Sequence, residues 1–239
     1  MSDDVKSDDG TEGPARTEDG PKDRLQTDGG SEGPFQTDGG SDGSLEIDVD
    51  EREGSLYRIL SSVVVPRPIA WVSTTSPAGV DNLAPYSFFT VASVEPPIVV
   101  FAPVDGPSGL KDTPRNVRDT GEFVCNLVTA GLVEAMNETA ATADADESEF
   151  DRAGVSREPS TVVDPPRVGE AAVAMECTRH DLLDVGGSTL VLGDVRYVHL
   201  DESVLRDGKV DIERIDAVGR LAGSQYATTR DRFSLDRPP

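Results

Sequence analysis

The chain has 239 residues, of which 45 are acidic and 22 basic, so its formal net charge at pH 7 is −23. A charge of this sign repels nucleic acid and anionic membrane surfaces, and it excludes the functions that a basic surface serves. Only 4 of the basic residues are lysines. An acid-rich, lysine-poor composition indicates a protein from a halophile, and the alternative is an acidic protein of ordinary conditions.

Apolar runs in the sequence are too short to cross a bilayer, and no early run has the character of a signal peptide. We therefore expect a cytoplasmic protein that has neither a membrane nor a nucleic acid as its partner.

Residues 1–53 differ in composition from the rest, with 17 acidic and 5 basic side chains. A ten-residue unit recurs loosely from Thr17, Thr27 and Thr37. Each unit holds a single apolar residue and buries too little to fold, which predicts a disordered acidic low-complexity tail. A calcium-binding repeat is the less favoured alternative, because its spacing is different. The domain prediction is thus a tail over 1–53 and one folded domain over 54–239.

Strands dominate the predicted elements of the folded domain. They cover residues 63–65, 69–74, 98–102, 123–128, 171–178 and 189–200, and an Asp207-Gly208 turn lies beyond them. Few helices and no alternation of strand and helix point to a barrel or sandwich, so the predicted fold class is mainly β with a few helices.

Three helices are predicted between these strands. The first has Thr113 as N-cap, Pro114 as first helical residue and Gly121 just past its end. A second helix follows from the spacing of Leu132, Val133, Met136 and Ala140, and a short third one covers residues 148–153.

The cysteines and histidines show no catalytic or metal-binding spacing. Cys125 and Cys177 lie in apolar runs and are predicted to be core residues rather than thiol nucleophiles. His180 and His199 belong to no Ser-His-Asp or metal-ligand pattern, and we interpret both as structural or peripheral.

The stretch from Arg67 to Phe89 is the most informative part of the sequence. A strand runs into the hydroxyl cluster Ser73–Ser76, and a turn follows at Pro77 and Gly79. Pro85 removes one backbone donor, which predicts extended, irregular backbone over 82–87 with unpaired groups available to a ligand.

An anion site is predicted at the start of the first helix. Its free N–H groups, the Thr113 hydroxyl and the nearby Lys111 suit a phosphate. The alternative is a surface lysine and a simple helix cap. The hydroxyls of Ser73–Ser76 favour the phosphate, because two donor clusters could close on one group.

Four sequence blocks carry a resemblance to a known family: RPIAWVSTTSPAGVDNLAPYSFF, EPPIVVFAP, LKDTPRNVRDTGEFVCNL and VGRLAGSQYATTRDRFSL. In this order, over roughly residues 55–237, they resemble the flavin reductase-like family, which includes flavoredoxin-type proteins. The resemblance implies an FMN-binding split β-barrel that forms a homodimer. It also implies that these residues bind the cofactor: Ser73, Thr74, Thr75, Asn82, Ala84, Pro85, Tyr86, Ser87, Phe88, Lys111, Thr113, Arg220 and Tyr226.

The residue types agree with these roles, although each has an alternative. Pro85 and the aromatic residues could form a flat wall for an isoalloxazine ring, with backbone N–H groups at its polar edge. Core packing is the alternative for Tyr86, Phe88 and Phe89, and we expect at least one of the two phenylalanines to be core. Arg220 could instead pair with a surface carboxylate.

The flavin would carry the chemistry, so we predict no catalytic side chain and no metal. The resemblance implies an NAD(P)H-dependent flavin reductase that passes hydride from NADH or NADPH through FMN. The alternative is an FMN-binding electron-transfer protein without its own nicotinamide site. A third, weaker hypothesis is that the fold is used without flavin.

Overall fold

The structure is a computed structural model that describes residues 46–50, 54–106, 109–141 and 148–238. The tail predicted over 1–53 lies outside the described residues except for 46–50, and both domain boundaries stay predictions.

Helices and strands alternate irregularly along the described residues. The α-helices are α1 (Tyr57–Val63), α2 (Asp112–Thr120), α3 (Val133–Glu138) and α4 (Glu149–Ala153). Short 3-10 turns cover Ala130–Leu132 and Glu202–Val204. The strands are β1 (Arg67–Pro68), β2 (Ala70–Thr75), β3 (Asp81–Tyr86), β4 (Phe89–Val94), β5 (Pro97–Phe101), β6 (Glu122–Leu127), β7 (Arg157–Glu158), β8 (Arg167–Val168), β9 (Val173–Val185), β10 (Ser188–Leu200), β11 (Leu205–Arg206), β12 (Lys209–Val210), β13 (Val218–Arg220) and β14 (Tyr226–Thr228).

The main sheet has seven antiparallel strands in the order β3-β2-β6-β9-β10-β5-β4. Its two edge strands, β3 and β4, are consecutive in the chain and are joined by Ser87 and Phe88 alone. A sheet whose edges are joined by so short a link must curl round until the edges approach each other. The result is a split barrel, as the sequence predicts, and it is open at the seam between β3 and β4.

Side chains of the sheet alternate between two apolar clusters. Ala70 and Val72 face the barrel interior with Tyr86, Phe101 and Phe123. Trp71 and its neighbours face the outer cluster, which α3, α4 and β13 cover. The indole Nε1 of Trp71 donates to Thr139 Oγ1 over 2.9 Å at the end of α3, which satisfies a buried donor.

Most predicted strands are confirmed with shifted ends. The strand predicted over 171–178 is longer and runs over Val173–Val185, because it forms one hairpin with β10. Both cysteines are buried as predicted. Gly121 and Gly154 end α2 and α4 with φ of 80° and 65°, the left-handed conformation that glycine adopts readily.

The first predicted strand, over 63–65, is wrong. Val63 is the last residue of α1, and Val64 and Val65 belong to no strand. Three consecutive β-branched residues favour a strand only where a neighbouring strand can receive them. Here the three valines are exposed instead.

The predicted start of α2 is also wrong. Lys111 occupies the N-cap, Thr113 is the second helical residue and Pro114 the third. Proline is tolerated there because the first-turn N–H groups have no partner within the helix. Thr113 is therefore free to bind outside its own helix.

The irregular backbone predicted over 82–87 is not observed, because β3 is a regular strand through Tyr86. Pro85 lies opposite Trp71 in an unbroken register. The N–H of Leu83 turns away from β2 towards Glu149, and residues two apart in a strand face the same way. The missing N–H of Pro85 would therefore have pointed away from β2, so the ladder loses no donor.

No helix in the described ranges is long and apolar enough to cross a membrane.

Candidate functional site

The hydroxyl cluster on β2 divides between the two faces of the sheet. Ser73 is buried and donates to the carbonyl of Pro166 on one face. The buried Thr74 lies on the other face, where its Oγ1 is 3.3 Å from Asn82 Oδ1. Thr75 donates to Asp81 over 2.8 Å. The structure thus brings Thr74, but not Ser73, to the side that α2 occupies.

Asn82 on β3 joins the two predicted donor clusters. Its Oδ1 accepts a hydrogen bond from Thr113 Oγ1 over 2.7 Å, so the first turn of α2 is bound directly to β3. Its Nδ2 donates to both carboxylate oxygens of Glu149 over 3.0 Å. Asn82, Thr113 and Glu149 are all buried, so they form a frame behind the surface rather than the surface itself.

Tyr86 extends this frame into the barrel interior. Its ring lies 5.1 Å from that of Phe101, and its hydroxyl lies near Thr113. Burial raises the pKa of the Tyr86 hydroxyl well above its ordinary value. The hydroxyl therefore stays neutral, and Tyr86 packs in the interior cluster, as the core alternative predicts.

The N-terminus of α2 has the properties of an anion site. Lys111 is exposed, its ammonium group makes no hydrogen bond or ion pair with the residues that the structure describes, and no side chain caps the helix. The carboxylate of Asp112 is occupied by Arg115 over 2.6 Å. An unpaired lysine beside free helical N–H groups is an unusual feature of so acidic a chain, and it fits a phosphate.

The seam between β3 and β4 offers partly exposed groups for a ring. Ala84, Pro85, Ser87 and Phe88 are all partly exposed there. The ring of Phe88 lies 6.2 Å from that of Tyr57. Phe89 packs instead against the interior cluster, so it is the core phenylalanine of the pair.

Arg220 and Tyr226 form a cation–π pair across the β13–β14 hairpin. The Arg220 guanidinium lies 4.6 Å from the Tyr226 ring centroid, and it donates to Tyr226 Oη and to the Gly223 carbonyl. No carboxylate of the described residues pairs with Arg220, so the alternative of a surface ion pair is not observed. Its cross-strand neighbour is a second arginine, Arg67.

Arg67 was missed by the sequence reasoning, although it is central to this region. It is buried and binds the carbonyls of Ser61, Val64 and Leu221, which ties the end of α1 to the β13–β14 hairpin. Burial lowers the pKa of its guanidinium, and Arg220 lowers it further. Nothing in the local sequence distinguishes Arg67 from a surface arginine.

Glu149 and Asn116 were missed as well. Asn116 donates to Thr74 Oγ1 over 3.0 Å from the middle of α2, and Glu149 begins α4. An acidic residue in the first turn of a helix is expected on dipole grounds alone. Only the fold shows that Glu149 binds Asn82 of β3, which lies 67 residues earlier in the chain.

A second buried carboxylate, Glu176 on β9, lies outside this frame. It accepts hydrogen bonds from the N–H groups of Thr161 and Val162 over 2.7 and 2.6 Å and contacts His199 Nε2. Burial raises its pKa, but the three hydrogen bonds outweigh burial, and the pKa of Glu176 lies below its usual value.

The sequence profile of the flavin reductase like domain matches residues 61–214, which is more than half of the chain. The chain belongs to the flavin reductase-like family. The match to this flavin-binding family includes β1 to β10, with the β3 segment, α2 and the seam, but it ends before Arg220 and Tyr226.

This flavin reductase-like protein is similar to three proteins over most of its length. An uncharacterized protein of Halalkalibacterium halodurans is 39% identical over 189 residues, which cover 76% of this chain and 90% of the relative. Nitrilotriacetate monooxygenase component B from Bacillus cereus is 33% identical with a TM-score of 0.77, covering 82% of this chain and 100% of that one. The 2-nitrobenzoate 2-nitroreductase of Pseudomonas fluorescens is 30% identical with a TM-score of 0.74, covering 81% and 96%.

Proposed function

We propose that this flavin reductase-like protein binds FMN and is an NAD(P)H-dependent oxidoreductase that passes hydride through the bound flavin. One observation carries the proposal. The hydrogen bond from Thr113 to Asn82 holds the uncapped N-terminus of α2, with the unpaired Lys111, against the strand that carries the flavin motif.

Lys111 and the first N–H groups of α2 would bind the FMN phosphate. An ammonium group and helical N–H groups are both donors that favour a dianion, and neither is occupied by a carboxylate of the described residues. Thr74 and Thr113 support this site from behind, since their hydroxyls are already bound to Asn82.

The seam between β3 and β4 would receive the isoalloxazine ring. Pro85 and Phe88 supply apolar surface, and Ser87 supplies a hydroxyl and a backbone N–H. Arg220, which faces no carboxylate in the described part, supplies positive charge that would stabilise negative charge on a reduced ring or attract the phosphates of a dinucleotide. A bound flavin would supply the hydride chemistry, so no acid or base from the chain is needed.

The names of two neighbours support electron transfer to a second molecule. One is a monooxygenase component and the other is a nitroreductase. The alternative for this chain is an FMN-binding electron-transfer protein that receives electrons from another protein instead of from NADH or NADPH.

We further propose a homodimer. Tyr57, Leu60 and Val63 of α1 are 53%, 54% and 68% exposed, and Val91 and Val94 of β4 are 61% and 84% exposed. The contact between Tyr57 and Phe88, which precedes β4, places these groups in one region. Exposed apolar residues in such number support an interface with a second copy. Light scattering after size exclusion in concentrated salt tests this, and a monomer at micromolar concentration would contradict it.

The proposed activity is tested with protein purified in concentrated salt. FMN is titrated and its absorbance and fluorescence are recorded, and then NADH or NADPH is added without oxygen. Rapid bleaching of the flavin by either nucleotide is the expected result. Bound FMN that only dithionite reduces would identify the electron carrier, and a colourless protein that takes up no FMN would refute both functions.

A further inference from the structure

Glu149 is a buried carboxylate that no cation neutralises within the described residues. Glu149 is only 6% exposed, and no lysine or arginine of the described residues lies within ion-pair distance of its carboxylate. Its partners are the Asn82 amide and the Leu83 N–H, each at 3.0 Å. Burial of an unneutralised charge is costly, and a glutamine of the same size would cost less. The carboxylate therefore calls for an explanation beyond packing.

The chemistry of a carboxylate determines the orientation of Asn82. An ionised carboxylate only accepts hydrogen bonds, so Asn82 must turn its Nδ2 towards Glu149. The Oδ1 of Asn82 must then face the opposite way, towards Thr113 at 2.7 Å. Thr113 has a single hydroxyl proton, and it is given to Asn82.

Donation in this chain of groups runs towards Glu149, from Thr113 through Asn82. Thr113 belongs to the first turn of α2, and Asn82 belongs to β3. The first turn of α2 and the strand β3 form different parts of the proposed FMN site, and the hydrogen bond between them holds them in one relative position. The carboxylate of Glu149 sets the direction of that hydrogen bond.

We propose that Glu149 is a positioning residue of the flavin site: acting through Asn82, it holds the phosphate-binding turn of α2 and the ring-binding strand β3 in the arrangement that accepts one FMN molecule. The role rests on the proposed function. Glu149 itself touches neither the phosphate nor the ring, since it is buried behind Asn82 and Leu83.

Glu149→Gln preserves the size of the side chain but removes the carboxylate that sets the direction of these hydrogen bonds. The Leu83 N–H would take the new carbonyl oxygen, and the new amide NH₂ would then face the NH₂ of Asn82. Asn82 Nδ2 contacts both oxygens of Glu149, so it keeps its contact with the new carbonyl oxygen but lies against the new NH₂. The Asn82 amide is then displaced and is no longer held with its Oδ1 towards Thr113. The contact between α2 and β3 is thereby weakened.

Exchange of the acid and the amide between the two positions restores a consistent set of donors and acceptors. In Asn82→Asp combined with Glu149→Gln, the glutamine accepts from Leu83 and donates to the new aspartate, whose second oxygen accepts from Thr113. Glu176→Gln is the matched control, because it neutralises another buried carboxylate that also accepts backbone N–H groups, outside the site.

The experiment measures the FMN dissociation constant and the visible circular dichroism of bound FMN for full-length variants in concentrated salt. Loss of one hydrogen bond to a charged group predicts a rise of about tenfold or more in the dissociation constant of Glu149→Gln, with a changed dichroism band. The exchange variant returns both to near the wild-type values, and Glu176→Gln leaves both unchanged.

Three results would overturn the role. They are wild-type affinity and dichroism in Glu149→Gln, an exchange variant that folds but binds FMN as weakly as Glu149→Gln, and an equal loss in Glu176→Gln. If Glu149→Gln does not fold, the folded exchange variant decides the question by its affinity. A wild-type protein that binds no FMN refutes the proposed function itself, which is a different failure from wild-type binding that Glu149→Gln leaves intact.

Discussion

Glu149 and Glu176 are both buried, and each accepts backbone N–H groups from a neighbouring segment. They differ in the side chain that each one binds. Glu149 binds the amide of Asn82, which passes the hydrogen bond on to Thr113 and so to α2. Glu176 binds His199, where the chain of side-chain bonds ends. Burial alone therefore does not distinguish the two carboxylates. What distinguishes Glu149 is that its partner, Asn82, also binds the first turn of α2.

The largest effect is expected at Lys111. This residue lies at the start of α2, the helix that is linked to Glu149 through Thr113 and Asn82. Lys111→Ala removes one hydrogen bond to a charged group, worth about 1.5–3 kcal/mol, so the FMN dissociation constant should rise roughly 10- to 100-fold. Fluorescence titration at fixed salt measures it. Lys209→Ala, which removes an exposed lysine of the β11–β12 hairpin, is the control with the same change in charge. Equal affinities of the two variants would place the phosphate elsewhere.

Glu176 should affect stability against acid and not flavin binding. Its pKa in the folded protein lies below the ordinary value of 4.5, so its ionised form is favoured by folding. This contribution is complete above about pH 4.5 and is lost as the pH falls through the lower, folded-state pKa. Glu176→Gln should be less stable than wild type by about 1–3 kcal/mol at neutral pH, and the difference should shrink towards pH 3 or so. Urea unfolding at several pH values measures this, and a difference independent of pH would contradict it.

A smaller effect is expected at Tyr86, which lies near Thr113 in the barrel interior. Tyr86→Phe removes a buried hydroxyl but keeps the ring against Phe101, so the free energy of unfolding should fall by about 1 kcal/mol. Tyr197→Phe, at an exposed position on β10, should change it by less than about 0.5 kcal/mol. Thermal or urea unfolding compares the two, and an equal effect would show that the buried Tyr86 hydroxyl stabilises the fold no more than an exposed one.

The smallest effect is expected from removal of residues 1–53. Neither carboxylate binds a residue before Gly54 in the described part of the chain. The truncated protein should therefore retain the FMN dissociation constant of the full chain, measured by the same titration. A loss of affinity would show that the acidic segment takes part in the site.

Much of the fold could be predicted from local signals. Gly121 and Gly154 indicate the ends of two helices correctly, because a left-handed residue has a strong local preference. Val63–Val65 mislead, because a β-branched run becomes a strand only if the fold provides a partner. Pro85 misleads for a similar reason. Whether a proline breaks a ladder depends on which side of the strand its nitrogen faces, and this depends on pairing.

The candidate site was predictable in its segments but not in its connections. The segments around Asn82 and Lys111 were identified, yet their joining through Thr113 required the position of α2 on the barrel. Ser73 and Thr74 look equivalent in the sequence, and alternation along β2 sends them to opposite faces. Glu149 could not be found from sequence, because its partners are far away in the chain.

The outer side of β3 has a consequence for association between molecules. An edge strand normally presents a row of backbone donors and acceptors to any other strand that approaches. On β3 the Leu83 N–H is occupied by Glu149, and at Pro85 there is no N–H at all. A strand from another molecule could therefore accept no hydrogen bond from β3 at these two successive outward-facing positions. The strand β3 is in this way protected from the strand addition by which sheet edges aggregate.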